Sequence, residues 1–519
     1  MAARVPSAAL VLALMLAVPA LAAVPAAVAP PEFEHIDDAW RAEHPAIPVN
    51  HPFDANVPQL IPSDRVFVHN SQGFLNGLPA GYPAAFEFLL ADVGQKGPEP
   101  SVGVDHDGRL FFKTCCSGNV VRSVDAGATW QDVTSPLADP QTNDPYLWLD
   151  PATDRVINDD LVFGGTFPGQ GCSWATWTQL GEDAPAPNIW EGANARFCSA
   201  VPETSFVDHQ KVHTGKIPPV HVLANKIPAN DQIPQATFFA WNTGAISKIT
   251  MSIDGGYTFP FLAGSAQGTC NGGLHGRPRS APDGILLIPK RDCGNPLALR
   301  SVNFNTWDPI EVGEDVGTTS HRKNPDIAID AAGNAYMFWP SGASGGLAAE
   351  PTWLSVSHDT GATWGASIKA SPPNVLSTTF HAAVAGSPGR VAVMYYGNDH
   401  TANAPDHVRG TKWHAYITFS LNALDPDPTF VTVQLDTDSD PIQIGSISTN
   451  SDGHAEAGSR NLLDFNDLVL DPTTGRVVAA YADGCTTVNN CANNPSATSG
   501  VSRDNEGIAA INTLGPSLL

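Results

Sequence analysis

Apolar residues recur at every second position in short runs along most of the chain, and each run is broken by Asp, Gly, Pro or Thr. The clearest cases are Ser101-Val-Gly-Val-Asp-His-Asp-Gly-Arg-Leu-Phe-Phe112 and Asp326-Ile-Ala-Ile-Asp-Ala-Ala-Gly-Asn-Ala-Tyr-Met-Phe-Trp339. Four more share the pattern: Leu147 to Ile157, Arg279 to Ile288, Ala382 to Val393 and Asp467 to Ala480. Period-two alternation on both sides of a turn signal predicts β-hairpins. A weaker seventh joins Asp208-His-Gln-Lys-Val-His-Thr214 to Thr237-Phe-Phe-Ala-Trp241 across a long loop. Hairpins at this spacing, each followed by an outer pair such as the one that starts at Trp353-Leu-Ser-Val356, predict an all-β chain built of four-stranded blades. The expected fold is a β-propeller, with seven blades preferred and six as the alternative; a β-sandwich is the runner-up. A strand near Ala85–Leu90 is expected to pair with one near Gly507–Asn512 and close the ring.

A second repeat is more specific. Ser123-Val-Asp125-Ala-Gly127-Ala-Thr129-Trp130, Ser252-Ile-Asp254-Gly-Gly256-Tyr-Thr258-Phe259 and Ser357-His-Asp359-Thr-Gly361-Ala-Thr363-Trp364 carry Ser, Asp, Gly, Thr and an aromatic at the same offsets. The Asp carboxylate can accept bonds from turn amides. The Gly supplies a positive φ, and the Thr and aromatic start a return strand. This pattern resembles the Asp box of sialidases and related BNR-repeat proteins. The resemblance implies that each box joins the two outer strands of a blade, away from the active face, and so bears on fold rather than on catalysis.

The N-terminus reads as an export signal. Met1-Ala-Ala-Arg4 is followed by an apolar stretch from Ala8 to Val18 and by Ala20-Leu21-Ala22, an A-x-A cleavage pattern. The expected organisation is a signal peptide over 1–22, an Ala/Pro-rich lead-in and loop segment over 23–80, and the propeller over 81–519. The mature protein is expected to be secreted or periplasmic, monomeric and free of the membrane once the signal is removed. Export permits disulfides, and the 8 Cys are even in number. Proximity suggests Cys172 with Cys198, Cys270 with Cys293 and Cys485 with Cys491; Cys115 and Cys116 pair with each other or elsewhere. No C-x-x-C or Cys/His spacing suggests zinc. Asp436, Asp438 and Asp440 alternate in a polar segment that reads as an inter-blade loop. They could hold calcium, but the Gly and Glu of an EF-hand loop are missing. No other cofactor or metal is expected.

With 52 acidic and 27 basic residues the formal charge is −25. Such a surface repels nucleic acid and anionic membranes. Only near charges act at physiological salt, so a local cation cluster can still hold an anion.

In a propeller the starts of the innermost strands surround the channel mouth. The polar residues there are Glu99, Asp144, Asp208, His209, His275, Arg277, Arg322, Asn324, His381, Arg460, Asp464, Asn466 and Asp467. Each alone reads as a turn or strand-start residue; recurrence at equivalent blade positions raises the set. Glu99, Asp464 and Asp467 are the candidate catalytic carboxyls, and the remainder are candidates for binding. Sialidases bind the substrate carboxylate with three arginines and use a Tyr nucleophile with a Glu, plus an Asp acid/base. The resemblance thus implies carboxylate binding by Arg277, Arg322 and Arg460, since guanidinium forks match carboxylates. Tyr395 and Tyr396 end an inner hairpin and are expected within the sheet. The family's opening Phe-Arg-Ile-Pro is replaced here by Pro98-Glu99-Pro100-Ser101, without an arginine. No G-x-S-x-G or H-E-x-x-H occurs. The chain therefore reads as a secreted propeller acting on or binding an extracellular glycan, or, in the second reading, as a non-catalytic propeller for a protein or cell-surface ligand.

Overall fold

The computed structural model describes residues 82–95, 98–115, 119–134, 143–163, 171–178, 189–198, 207–223, 235–266, 275–290, 296–313, 325–341, 349–400, 412–444, 466–485 and 505–519, a few single positions aside, with short strands at Ile47–Pro48, Leu60–Pro62 and Arg65–Asn70. These strands form seven antiparallel sheets, each with four strands in meander order at its heart. The innermost strands are Ser101–Val104, Asn143–Leu149, Val207–Gly215, Arg279–Ser280, Asp326–Ile329, Ser377–Ala385 and Asp467–Leu470. We number the blades 1 to 7 in that order. Each innermost strand neighbours the next, and the seventh neighbours the first, so the sheets form a closed ring. A β-propeller results, and a sandwich of two facing sheets is excluded. All seven expected hairpins are present, including the weak one, where Val207–Gly215 pairs with Ala236–Thr243.

The ring closes through chain ends. Blade 7 takes three strands from the C-terminal part, Asp467–Leu470, Val477–Asp483 and Glu506–Leu514, and its fourth, Phe86–Asp92, from the N-terminal part. Ala509 lies opposite Ala91 and Ala510 opposite Leu90, the pairing anticipated from the two apolar segments. Buried Phe86 and Phe88 join Ile508, Ala510 and Tyr481 in the core between blades 6 and 7. Closure thus pairs the outer side of Glu506–Leu514 with Phe86–Asp92 and joins the two ends of the chain in one sheet.

Strands 1 and 3 of each blade run parallel, so their C-terminal ends share one face of the ring, opposite the face where the inner strands begin. The Asp boxes lie on that face. Ser123, Ser252 and Ser357 each end the third strand of blades 1, 3 and 5. In the first and third boxes the Ser hydroxyl donates to the Asp carboxylate at 2.8 Å and accepts the Gly amide at 2.8 Å, and the Asp accepts both the amide and the hydroxyl of Thr129 or Thr363. The second box repeats the Ser–Asp and Gly–Ser bonds at 2.6 and 2.8 Å. Gly127, Gly256 and Gly361 have φ of 78°, 102° and 76°. These bonds hold the carboxylates of Asp125 and Asp359 below the usual range, against a desolvation contribution that acts the other way.

Each box also docks on the blade before it. A Cβ on Gly127 would lie 2.7 Å from Ala91 Cβ of blade 7, and one on Gly361 would lie 2.7 Å from Leu287 Cδ2 of blade 4. At the second box Arg155 of blade 2 donates to the carbonyl of Gly255 at 2.7 Å. The box aromatics follow suit: Trp130 shares a buried cluster with Ala91 and Val478 of blade 7, and Trp364 packs against the cluster that holds Leu287 of blade 4. Gly is required twice over, for its positive φ and for the close approach. Gly361→Ala should lower the unfolding free energy by about 1–3 kcal/mol. Asp427→Ala on an exposed turn should stay within about 0.5 kcal/mol. Denaturant unfolding of the two variants checks this; equal midpoints would show that the box turn carries no inter-blade strain.

Candidate functional site at the channel mouth

Equivalent positions of the inner strands form two tiers near their start. The deeper tier is Ser101, Tyr146, Lys211, Arg277, Asp326, Ala382 and Asp467, one from each blade. Inter-blade bonds establish the equivalence. Ser101 Oγ accepts from Leu147 N at 2.9 Å, Asp326 Oδ2 from Ala383 N at 2.7 Å, and Asp467 Oδ2 from Val102 N at 3.1 Å. In each case the tier side chain of one blade caps the amide that follows the tier residue of the next.

Arg277 sits at the centre of this tier. Its Nη1 donates to Asp326 Oδ2 of blade 5 at 2.7 Å, and its Nη2 lies 3.1 Å from Asp467 Oδ1 of blade 7 and donates to the carbonyl of Asn466. It leaves blade 4 and reaches blade 7, so it crosses the channel axis. The group is almost wholly buried. Desolvation pulls its pKa down, but Asp467 and Asp326 outweigh it, and the net shift is upward. Its Nε has no partner.

The upper tier lies two residues earlier: Glu99, Asp144, His209, His275 and Phe380 among the described residues. Four of these five have positive φ: Glu99 63°, Asp144 46°, His209 53° and Phe380 56°. Bulges accompany them, with register shifts between Asp208 and Lys211 and between Thr379 and Ala382. A non-glycine residue in this region costs on the order of 1–3 kcal/mol, and bulges re-aim side chains at sheet rims. Four such residues at one level of the ring mark the mouth as the place where local conformation yields to placement of side chains.

Beneath and beside the upper tier lies a buried titratable cluster on blades 1 to 3. Lys113 pairs with Asp160 and also donates to Asn158 Oδ1. Asn158 Nδ2 donates to Asp160 Oδ2 at 2.8 Å. Asp159, opposite Tyr146 in the ladder, is fully buried and its carboxylate has no hydrogen-bond partner. Burial, then Asp160, pushes its pKa well above the usual range. Lys211 lies 4.6 Å over the Tyr146 ring. Burial, reinforced by Arg277 and opposed by Asp144, Glu99 and Asp159, brings its pKa down to about 8. His275 Nδ1 bonds the carbonyl of Gly276 at 2.7 Å, and burial lowers its pKa to about 3, so it is neutral.

The structure therefore brings together Glu99, Asp144, His209, His275 and Arg277 of the predicted set and adds Lys211, Asp159, Asp160 and Lys113. The other predictions fare differently. Arg277 is not an open carboxylate fork: Asp326 and Asp467 occupy it, and Asp467 is correspondingly an ion-pair partner rather than an open acid. His381 lies one residue out of the tier register. Its ring contacts Thr352 Oγ1 at 2.9 Å and Tyr395, at the border with blade 5. Asn466 is likewise out of register and donates to the carbonyl of Phe380 at 3.1 Å. Asp208 lies in the inner strand of blade 3, opposite Asn242, and its side chain is outside the described residues, as are Arg322, Asn324, Arg460 and Asp464. Tyr395 and Tyr396 are buried, as expected. Tyr395 bonds Thr418 at 2.8 Å, and Tyr396 accepts from Ala482 N at 2.9 Å. Burial raises both phenols far above the usual range, which removes them as nucleophiles.

Asp436 is engaged by His414 Nδ1 at 3.0 Å and Ile442 N at 3.1 Å. Among the described residues no group of three or more His, Cys, Asp or Glu side chains converges as metal ligands would. Cys172 and Cys198 face each other across the two outer strands of blade 2. Cys115 and Cys485 are each disulfide-bonded, and the remaining cysteines lie outside the described residues.

A closed ring of four-stranded sheets around a polar-tiered axis defines a β-propeller. The chain matches no protein-family model and no curated protein. Its backbone is similar to virginiamycin B lyase from Staphylococcus aureus, at 10% identity and a TM-score of 0.40, over 86% of this chain and 100% of that one. An ulvan lyase matches at 11% identity and 0.42, over 75% and 91%. A sialidase from Streptococcus pneumoniae matches at 12% and 0.35, over 92% and 72%. At these identities the likeness is one of fold.

Asp326→Ala should cost about 3–5 kcal/mol, because it strips Arg277 of one carboxylate and Ala383 N of its acceptor. A loss below about 1 kcal/mol in denaturant unfolding would remove Arg277 from its central place. The pH dependence is separable. A histidine lowered from 6.5 to about 3 binds its proton in the unfolded chain first. Stability therefore falls as pH drops from about 6.5 towards 3. His275→Phe should show a shallower fall over that window than the parent protein.

Proposed function

We propose that this protein, exported through its N-terminal leader, acts on an extracellular glycan at the channel mouth by general acid–base chemistry on the side of blades 1 to 3. One arrangement carries the reading: Asp159 and Lys211 are buried on neighbouring blades, Asp159 opposite Tyr146 and Lys211 over its ring, and burial displaces the pKa of the acid upward and that of the amine downward. A carboxyl with a raised pKa is suited to donate a proton. An amine near 8 can accept one at ordinary pH. Pairs pushed apart in this way suit acid and base roles. Glu99 and Asp144 lie close enough to raise the Lys211 pKa and so favour its charged form. The three-arginine variant of the reading is disfavoured, since Arg277 is already neutralised by two carboxylates.

A second reading rests on burial. Glu99, Asp159 and Lys211 are 1%, 0% and 2% exposed, so a substrate must reach them through movement at the mouth. If none occurs, the cluster is internal and the loops around the mouth bind a glycan or cell-surface partner without turning it over.

The mature protein should be assayed against fluorogenic glycosides, an α-sialoside among them, and against uronate-containing polysaccharides. Turnover is expected, with kcat/KM rising through an apparent pKa near 8 and falling at least about 100-fold in Lys211→Met. Stability should itself rise with pH between about 8 and 10.5 in the parent, because the unfolded chain holds the Lys211 proton longer. Turnover without the limb near 8 would discard Lys211 as base. Absence of turnover, with retained glycan binding, would establish the non-catalytic reading.

A further inference from the structure

Below the Arg277 tier the channel opens again. A cavity of about 290 Å³ is lined by the later halves of the inner strands and by Pro151 and Pro472 just beyond two of them. It lies towards the face that carries the Asp boxes. Tyr146 and Asp467 of the Arg277 tier line its upper end. The volume is close to the lower end of the range of about 300–1,000 Å³ for small-molecule sites.

Its walls are mainly apolar: Val102, Val104, Leu149, Ile329, Leu468 and Leu470 are representative. Six lining side chains carry polar atoms, Tyr146, Trp148, His213, Arg279, Ser280 and Asp467, and three of them bear on what the cavity could hold. Asp467 is balanced by Arg277 and capped by Val102 N. His213 is buried, and its Nε2 accepts from Ser280 N at 2.9 Å. Burial, with a smaller push from Arg279, holds the ring neutral. A neutral imidazole that accepts at Nε2 carries its proton on Nδ1. That Nδ1 has no acceptor in the protein. The third group is Arg279. It is half-buried, lies 5.9 Å over the Trp148 ring and donates only to the carbonyl of its neighbour Pro278 at 3.2 Å. Among the described residues it has no carboxylate partner, although the chain holds nearly twice as many acids as bases.

A half-buried guanidinium facing an apolar cavity without a counter-ion is the arrangement of a site that receives one. We propose that the lower half of the channel binds a small carboxylate with an apolar body, its carboxylate on Arg279 and its body against the aliphatic walls and Trp148. A single cation without a counter-ion matches a monoanion. A dianion would leave a buried charge unpaired. The acidic exterior does not prevent entry, because only charges within about 8–10 Å act strongly at physiological salt.

The probe is 4-phenylbutyrate, with 4-phenylbutyramide as its uncharged twin, and binding is read by calorimetry and ligand-observed NMR on the mature protein. The acid should bind at least about tenfold more tightly than the amide, and Arg279→Met should remove that preference. Val469→Phe, which fills the cavity and leaves Arg279 in place, should weaken both probes; its circular dichroism and melting temperature report whether the fold is kept. Equal affinity of acid and amide, retention of the preference in Arg279→Met, or no binding of the acid at millimolar concentration overturns the proposal.

Discussion

The contact between Arg277 and the two carboxylates of Asp326 and Asp467 is the interaction on which the arrangement of the ring depends. A propeller has no central core in the ordinary sense, because its sheets meet at an axis where seven backbones converge. The axis is a channel, and side chains that cross it tie opposite blades together. Here a single guanidinium does so. It leaves blade 4, reaches blades 5 and 7, and each carboxylate it holds caps an amide of the blade that follows. Burying one charge alone is prohibitive; burying one cation between two anions, with further backbone donors to each anion, is tolerable. Asp467 of this cluster also lines the lower channel.

Both faces of the ring carry turns with unusual backbone. On one face the Asp boxes close the outer strands with glycines at positive φ and press each turn onto the preceding blade, and Ala126, Asp154, Phe304 and Thr360 take positive φ on that face without being glycine. Glu99, Asp144, His209 and Phe380 do so at the mouth. The four at the mouth differ in lying at one level of the ring, where side chains converge on the axis.

The chain is strongly acidic as a whole, and around the upper channel Lys113, Lys211, Lys290 and Arg277 are buried together with Glu99, Asp159, Asp160, Asp326 and Asp467. The outer surface does little to draw an anion inward from a distance. Selection among ligands is then left to contacts at the site itself, where desolvation strengthens each charge.

Local pattern carries far in this chain. Period-two alternation with turn residues located all seven inner hairpins, because each hairpin is specified by its own few residues. The Asp boxes were legible for the same reason: Ser, Asp, Gly and Thr bond within one turn, so their spacing is their structure. Even the closing pair of strands could be foreseen from two unpaired apolar segments near the ends. What only the tertiary structure decided is what each polar residue at the mouth faces. Arg277 reads in sequence as an open fork and is found neutralised, because its partners lie 49 and 190 residues further on. His381 and Asn466 stand one residue away from the tier, and at His381 a bulge that alternation does not encode sets the register. Asn158-Asp159-Asp160 interrupts an apolar strand and could have been noticed as three consecutive polar residues in a buried position. Their pairing with Lys113 could not, because burial and the charges that surround a group arise from blades that sequence leaves apart.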